Sequence, residues 1–180
     1  MRVQRARRIR LILAMGVVAA LPGLAACSGG GQANATAFST GTISLTLNSQ
    51  TGEVEFTDLS MDGMKPGADI YAALTVGNAG SGDFTYSMST EQSGNADLAD
   101  ALTLGIAAVS GGSCTASTYQ GGTSVYTDTA GLSKAAITGR ALPAGHSEHL
   151  CFHAQLPSDA GDNLASEAAD ATFNFTAQQS

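Results

Sequence analysis

Beyond Cys27 this 180-residue chain has almost no positive charge: Lys65, Lys134 and Arg140 are its only bases there, against all fifteen of its acids. That region carries a formal charge of −12. A surface that grips phosphate needs clustered lysine and arginine, so nucleic acid is not an expected partner. Anionic lipid headgroups are unattractive for the same reason, and the acidity reads as a device for solubility outside the cell. Long apolar runs are missing as well. The stretch "LILAMGVVAAL", Leu11 to Leu21, has eleven residues, whereas a helix needs roughly 20 to cross a hydrocarbon core. Cysteine is scarce, at three residues, and helical periodicity hardly occurs. No Ser-His-Asp order, glycine-rich phosphate loop or paired carboxylate cluster stands out.

The five remaining bases all lie in the first ten residues, "MRVQRARRIR", with no acid among them. A positive segment followed by an apolar run of this length has the form of an export leader. Arg7-Arg8 is a weak twin-arginine signal within it. The leader ends in Leu24-Ala25-Ala26-Cys27, which resembles the bacterial lipobox: a branched apolar residue, two small residues that fit the peptidase closely, then cysteine. The resemblance implies cleavage before Cys27 and lipid attachment to its thiol. Two or three acyl chains anchor stably, at about 0.8 kcal/mol per buried methylene. The other reading is an ordinary leader cleaved after Ala35 or Ala37. The expected organisation is a leader over 1–26, a flexible tether over 27–37 and one domain over 38–180. Removal of the leader leaves 154 residues, enough for a single core.

Cys114 and Cys151 remain. In an oxidising compartment such a pair is commonly bridged; the alternative is two free thiols, and geometry decides between them. Period-two alternation recurs along the domain. It sets Ile43, Leu45 and Leu47 on one face of "TISLTL", and Val54 and Phe56 on one face of "EVEFTDL". Further strands follow at "DIYAALTV", "DFTYSMS", "ALTLGIAAV", "HLCFHAQL" and "ATFNFTA". Turn residues punctuate the gaps. Pro66-Gly67 and Ala144-Gly145 open paired strands, Asn78-Ala79-Gly80 suits a hairpin between "YAALTV" and "DFTYSM", and Asn163 suits an ordered loop before the last strand. Short helices are expected at "ADLADAL" and "GLSKAAI". The fold class is therefore all-β, an antiparallel β-sandwich of seven to nine strands with one or two short helices.

Several of these signatures stand in an informative order: "FSTGTISLTL" after the export region, "MKPGADIYAALTVGNAGSGDFTYSMS", "LADALTLGI", "LPAGHSEHLCFHAQLP", and the closing "ATFNFTAQQ". Over residues 38–180 this order resembles the TasA/camelysin family of secreted bacterial β-sandwich proteins. The resemblance implies a jelly-roll fold and a role in extracellular fibres and biofilm matrix. It further implies that an N-terminal segment, here Phe38 to Leu47, completes a neighbouring subunit's sheet through main-chain hydrogen bonds; the strand Ile43 to Leu47 could pair instead within its own subunit. Three departures stand against the family pattern: the turn reads Pro-Gly-Ala-Asp rather than Pro-Gly-Asp, a cysteine pair is added, and a lipobox replaces the usual cleavable signal.

Because the camelysin branch is described as proteolytic, the histidines need weighing. All three lie in "HSEHLCFH": His146, His149 and His153. A zincin would need His-Glu-x-x-His on a helix; this stretch lacks that order and reads as a strand. There His149, Cys151 and His153 share a face, with the two histidines about 7 Å apart and Glu148 opposite. They could hold a metal if the thiol were free; two surface histidines beside a disulfide is the simpler reading. Asp159, Asp162 and Glu167 could bind calcium weakly, but they fit no EF-hand spacing. The expectation is a protein that is not an enzyme and needs no cofactor. It would be exported and held at the cell membrane by the lipid at Cys27, facing outward. It would act structurally by strand addition, as a homo-oligomer or fibre or with extracellular matrix partners. The alternative is a lipid-anchored monomeric binding module for a metal ion or an envelope partner.

Overall fold

Alternating side chains have nowhere to bury one face except against a second sheet, and two sheets are what the chain builds. A computed structural model describes residues 10–13, 41–52, 54–55, 63–127, 131–132 and 137–180. In chain order it contains β1 (Arg10–Leu13), β2 (Leu45–Leu47), β3 (Val54–Glu55), β4 (Asp69–Asn78), β5 (Phe84–Gly94) and α1 (Ala96–Ala101). Then follow β6 (Thr103–Val109), α2 (Ala116–Gly121), β7 (Thr123–Thr127), β8 (Ile137–Leu142), β9 (Ser147–Gln155) and β10 (Ala169–Gln179), with a 3-10 turn at Asp162–Ser166 before β10.

One sheet runs β3-β1-β10-β5-β8 and the other β2-β4-β9-β6-β7. Setting β1 and β2 aside leaves β3, β10, β5 and β8 in one layer, and β4, β9, β6 and β7 in the other. This is the strand order of a jelly roll. The fold is an all-β sandwich with two short helices. Residues expected inward are inward: Leu45, Leu47, Ala72, Leu74, Val76, Phe84, Tyr86, Met88, Leu104, Ile106, Leu150, Phe152, Ala154, Leu156, Phe173 and Phe175 are all buried. Each large apolar side chain among them contributes about 1.5–3 kcal/mol of transfer free energy. Phe152 of one sheet and Phe173 of the other meet edge-to-face at 5.2 Å, a favoured aromatic geometry.

The long pairs set the frame. β4 and β9 run antiparallel from Asp69↔Gln155 to Gly77↔Ser147. Both open on the expected turns, where Gly67 (φ 83°) and Gly145 (φ 71°) take left-handed backbone that other residues adopt with strain. β5 and β10 pair over eleven residues, Phe84↔Gln179 to Gly94↔Ala169.

Two expectations are corrected. Asn78-Ala79-Gly80 does not close a hairpin: β4 and β5 lie in different sheets, and the segment is a corner that carries the chain across the sandwich. The cause is Asn78, 2% exposed. Its Nδ2 donates to the carbonyls of Gly82 (2.9 Å) and Leu142 (3.0 Å), and its Oδ1 accepts from Gly80 N (3.0 Å). A tight two-residue hairpin would expose this side chain. In "GLSKAAI" the last residue begins β8 rather than ending a helix; Ser133–Ala136 lie outside the described residues. The second helix is α2, held by a capping box in which Thr115 and Thr118 bond each other's backbone N–H. Leu45–Leu47, at the end of the segment Phe38 to Leu47, pair with Val76–Asn78 of the same chain. Phe38 lies outside the described residues, as do Phe56, Cys27 and the tether over 28–37.

Candidate functional site

β9 is the central strand of its sheet, and its alternation decides what each face carries. Leu150, Phe152 and Ala154 point to the core. His149, Cys151 and His153 share the outer face, as their spacing requires. The Cys114–Cys151 disulfide is present, with Cα atoms 5.1 Å apart. Cys151 is wholly buried although it faces outward, because the loop before α2 is stapled over it. Its register neighbours across the sheet, Ala73 on β4 and Ala107 on β6, are small enough to admit that loop.

The two histidines flank the bridge and are engaged separately. His149 Nδ1 lies 3.0 Å from Thr75 Oγ1. His153 Nε2 lies 2.7 Å from Asp69 Oδ1, stacks on Tyr71 at 4.6 Å between ring centroids, and meets Tyr119 of α2 at 5.0 Å. Burial pushes the Tyr119 hydroxyl pKa up, and burial together with Asp69 and Tyr119 does the same to Tyr71. Tyr119 lies directly over Gly105, where a Cβ would stand 1.9 Å from its hydroxyl oxygen. The geometry therefore commits the thiols to a bridge and each imidazole to its own partner. Among the described residues no group of three or more His, Cys, Asp or Glu could hold a metal ion. Asp159 and Asp162 are exposed, while Glu167 accepts a hydrogen bond from Asn95 Nδ2 at 2.9 Å.

Glu148 faces away from the histidines, as expected, and its environment was not legible from spacing. It accepts from Tyr86 Oη (2.6 Å) and Arg140 Nε (2.7 Å), and from Arg140 Nη2 on its other oxygen. This clamp joins β5 and β8 of one sheet to β9 of the other. Burial alone would raise the Glu148 pKa; the hydrogen bonds from Arg140 and Tyr86, with the Arg140 charge, overcome it and hold the carboxyl below its ordinary value. Burial, then the bond to Glu148, raises Tyr86 far above a normal phenol. The bond to Glu148 raises Arg140 against the opposing effect of its own burial. One signal was available: Arg140 is the only arginine beyond Cys27.

The remaining candidate geometry lies in how the strands pair and where the sheets end. β1 sits between β3 and β10. It pairs parallel to β10 from Arg10↔Thr172 to Leu13↔Phe175, and antiparallel to β3. Every other pairing among the described residues is antiparallel. Among the described residues, β8 forms one edge of its sheet, and β2 and β7 are the edges of the other. A scan against protein-family models finds no match to this chain, and a search of curated proteins finds none either.

Proposed function

We propose that the chain is a lipid-anchored structural protein of the cell surface, of TasA type, that assembles or adheres by strand addition. The observation that carries this reading is the place of β1. Residues 10–13 occupy a gap between β3 and β10, two strands that a jelly roll otherwise sets side by side. A short apolar segment from outside the sandwich thus finds main-chain partners along Thr172–Phe175. Those four residues belong to the leader. Its removal at Cys27 opens the place to a strand from a neighbouring copy, which supplies main-chain hydrogen bonds for affinity and alternate side chains for register.

Because Leu45–Leu47 serve their own sheet, the donor is the chain ahead of Gly41. There Ala33, Ala35 and Ala37 alternate with Gln32, Asn34 and Thr36. A lipid at Cys27 holds copies on one surface, where their effective concentration is high. The test is sedimentation and electron microscopy of the chain starting at residue 27 with Cys27→Ser, beside the same chain lacking 32–40. The parent is expected to form linear assemblies, and the deletion to remain a monomer of equal stability with β2 intact. Identical behaviour of the two would refute strand donation by this segment.

A further inference from the structure

An acidic protein repels its own copies, and the repulsion is weakest where the surface is neutral. Residues 101–127 contain no charged side chain and no histidine, in a chain that is otherwise strongly acidic beyond Cys27. This stretch contains β6, α2 and β7 entire. Its last element, β7, is the outer strand of its sheet among the described residues, with sequence Thr-Ser-Val-Tyr-Thr; Thr123, Ser124 and Thr127 are exposed.

Edge strands in monomers are usually blunted by lysine, proline, bulges or shortness. The other edges carry more of these devices than β7 does. β8 bears Arg140, a left-handed Gly139 (φ 58°) and a register shift against β5. β2 has three residues and turns away at once through left-handed Asn48 and Ser49. β3 has two residues and ends in Glu55. β7 has no charge and no proline. It does share one such device, a register shift against β6 between the partners Tyr126 and Ser124, so its openness rests on its five-residue length and lack of charge. Beside its first residue a cleft of about 410 Å3, lined by Ser110, Ser113, Thr118, Gly122 and Thr123, extends the same neutral hydroxyl-rich surface.

We infer that β7 is a self-association edge at which a second copy of this chain pairs antiparallel across a two-fold axis, joining two five-stranded sheets into one of ten. The inference rests on the structural reading above but uses a different edge and a different geometry. Strand donation is head-to-tail and makes open chains, whereas a β7 pair is isologous and closes at two. Two five-residue strands bury less than the roughly 1,200 Å2 of a stable interface. The contact is therefore weak in dilute solution and effective where copies are crowded on a membrane or along a fibre.

The test is a cysteine scan in the full-length chain expressed with its own leader. Thr123, Ser124, Val125, Tyr126 and Thr127 are each replaced by Cys, with Thr138→Cys on β8 as the exposed edge control. Residues facing one another across an antiparallel pair have Cα atoms about 4.5–5.5 Å apart, within disulfide reach. One or two of the five positions should give a covalent dimer at least tenfold above Thr138→Cys, with no ladder beyond two. Ser124→Glu, placed beside the best of the other positions, should remove most of that yield. Yields no greater than the control at all five positions would overturn the inference. Filaments that persist in that case would leave strand donation standing; a β7 dimer without filaments would have the opposite meaning.

Discussion

Asn78 shows how much one side chain decides. Its amide satisfies two carbonyls and one N–H at the corner between the sheets. Asn78→Ala leaves the buried Leu142 carbonyl short of a donor and should cost about 2–3 kcal/mol in denaturant unfolding. The Tyr86–Arg140–Glu148 clamp makes a second prediction at this scale. The Glu148 pKa is depressed in the folded state, so its contribution is present above the ordinary value of 4.5 and lost as pH falls below it. The Tyr86 pKa is raised, so its contribution is present below 10.0 and lost as pH climbs above that value. Glu148→Gln should flatten the acid side of the stability profile, and Tyr86→Phe the alkaline side. With the Arg140 and Glu148 side chains 33% and 17% exposed, removing the carboxylate should cost about 2 kcal/mol near neutral pH, between the values for surface and buried pairs.

Among elements, strands with clean alternation were legible, because period two on a half-buried surface leaves an unmistakable pattern. β4, β9 and β10 lie where their apolar residues put them. β7 and β8 are not legible in this way: "TSVYT" and "ITGRAL" are edges, and edges are not obliged to alternate. Nor is α2, because its stability is not in its periodicity; none of its residues is buried, and it is held by a Thr cap, by Tyr119 over Gly105 and by the disulfide. The bridge between Cys114 and Cys151 spans 37 residues, for which chain entropy gives about 4 kcal/mol. Cys114→Ser with Cys151→Ala should lower stability by up to that amount. Hydrogen exchange should show Ala116–Gly121 losing protection first while β4 and β5 keep theirs. Uniform loss across the sandwich would mean that the bridge supports the core rather than the helix.

At the scale of the whole molecule, the sandwich was readable from strand count and turn spacing, but the partition of strands between sheets was not. The β4–β5 corner looks like a hairpin until Asn78 is known to be buried. Nor does local sequence reveal that a gap between β3 and β10 accepts a strand, since that property belongs to pairing and not to pattern. The candidate site divides in the same way. Cys114, Cys151, His149 and His153 could be named from sequence, and their shared face followed from spacing. Their partners Thr75, Asp69, Tyr71 and Tyr119 come from other strands and a helix, so only the fold brings them together.

Strand addition beside β10 is the claim from which the functional reading follows. It is tested most directly by hydrogen exchange at Thr172, Phe173, Asn174 and Phe175 in the chain starting at residue 27, as its concentration is raised. The amides among these four that point away from β5 should exchange readily in dilute solution. They should become at least tenfold slower as assemblies form, in step with the sedimenting fraction, while the amides that point toward β5 stay unchanged. Equal protection of both sets at every concentration, with assemblies present, would contradict it.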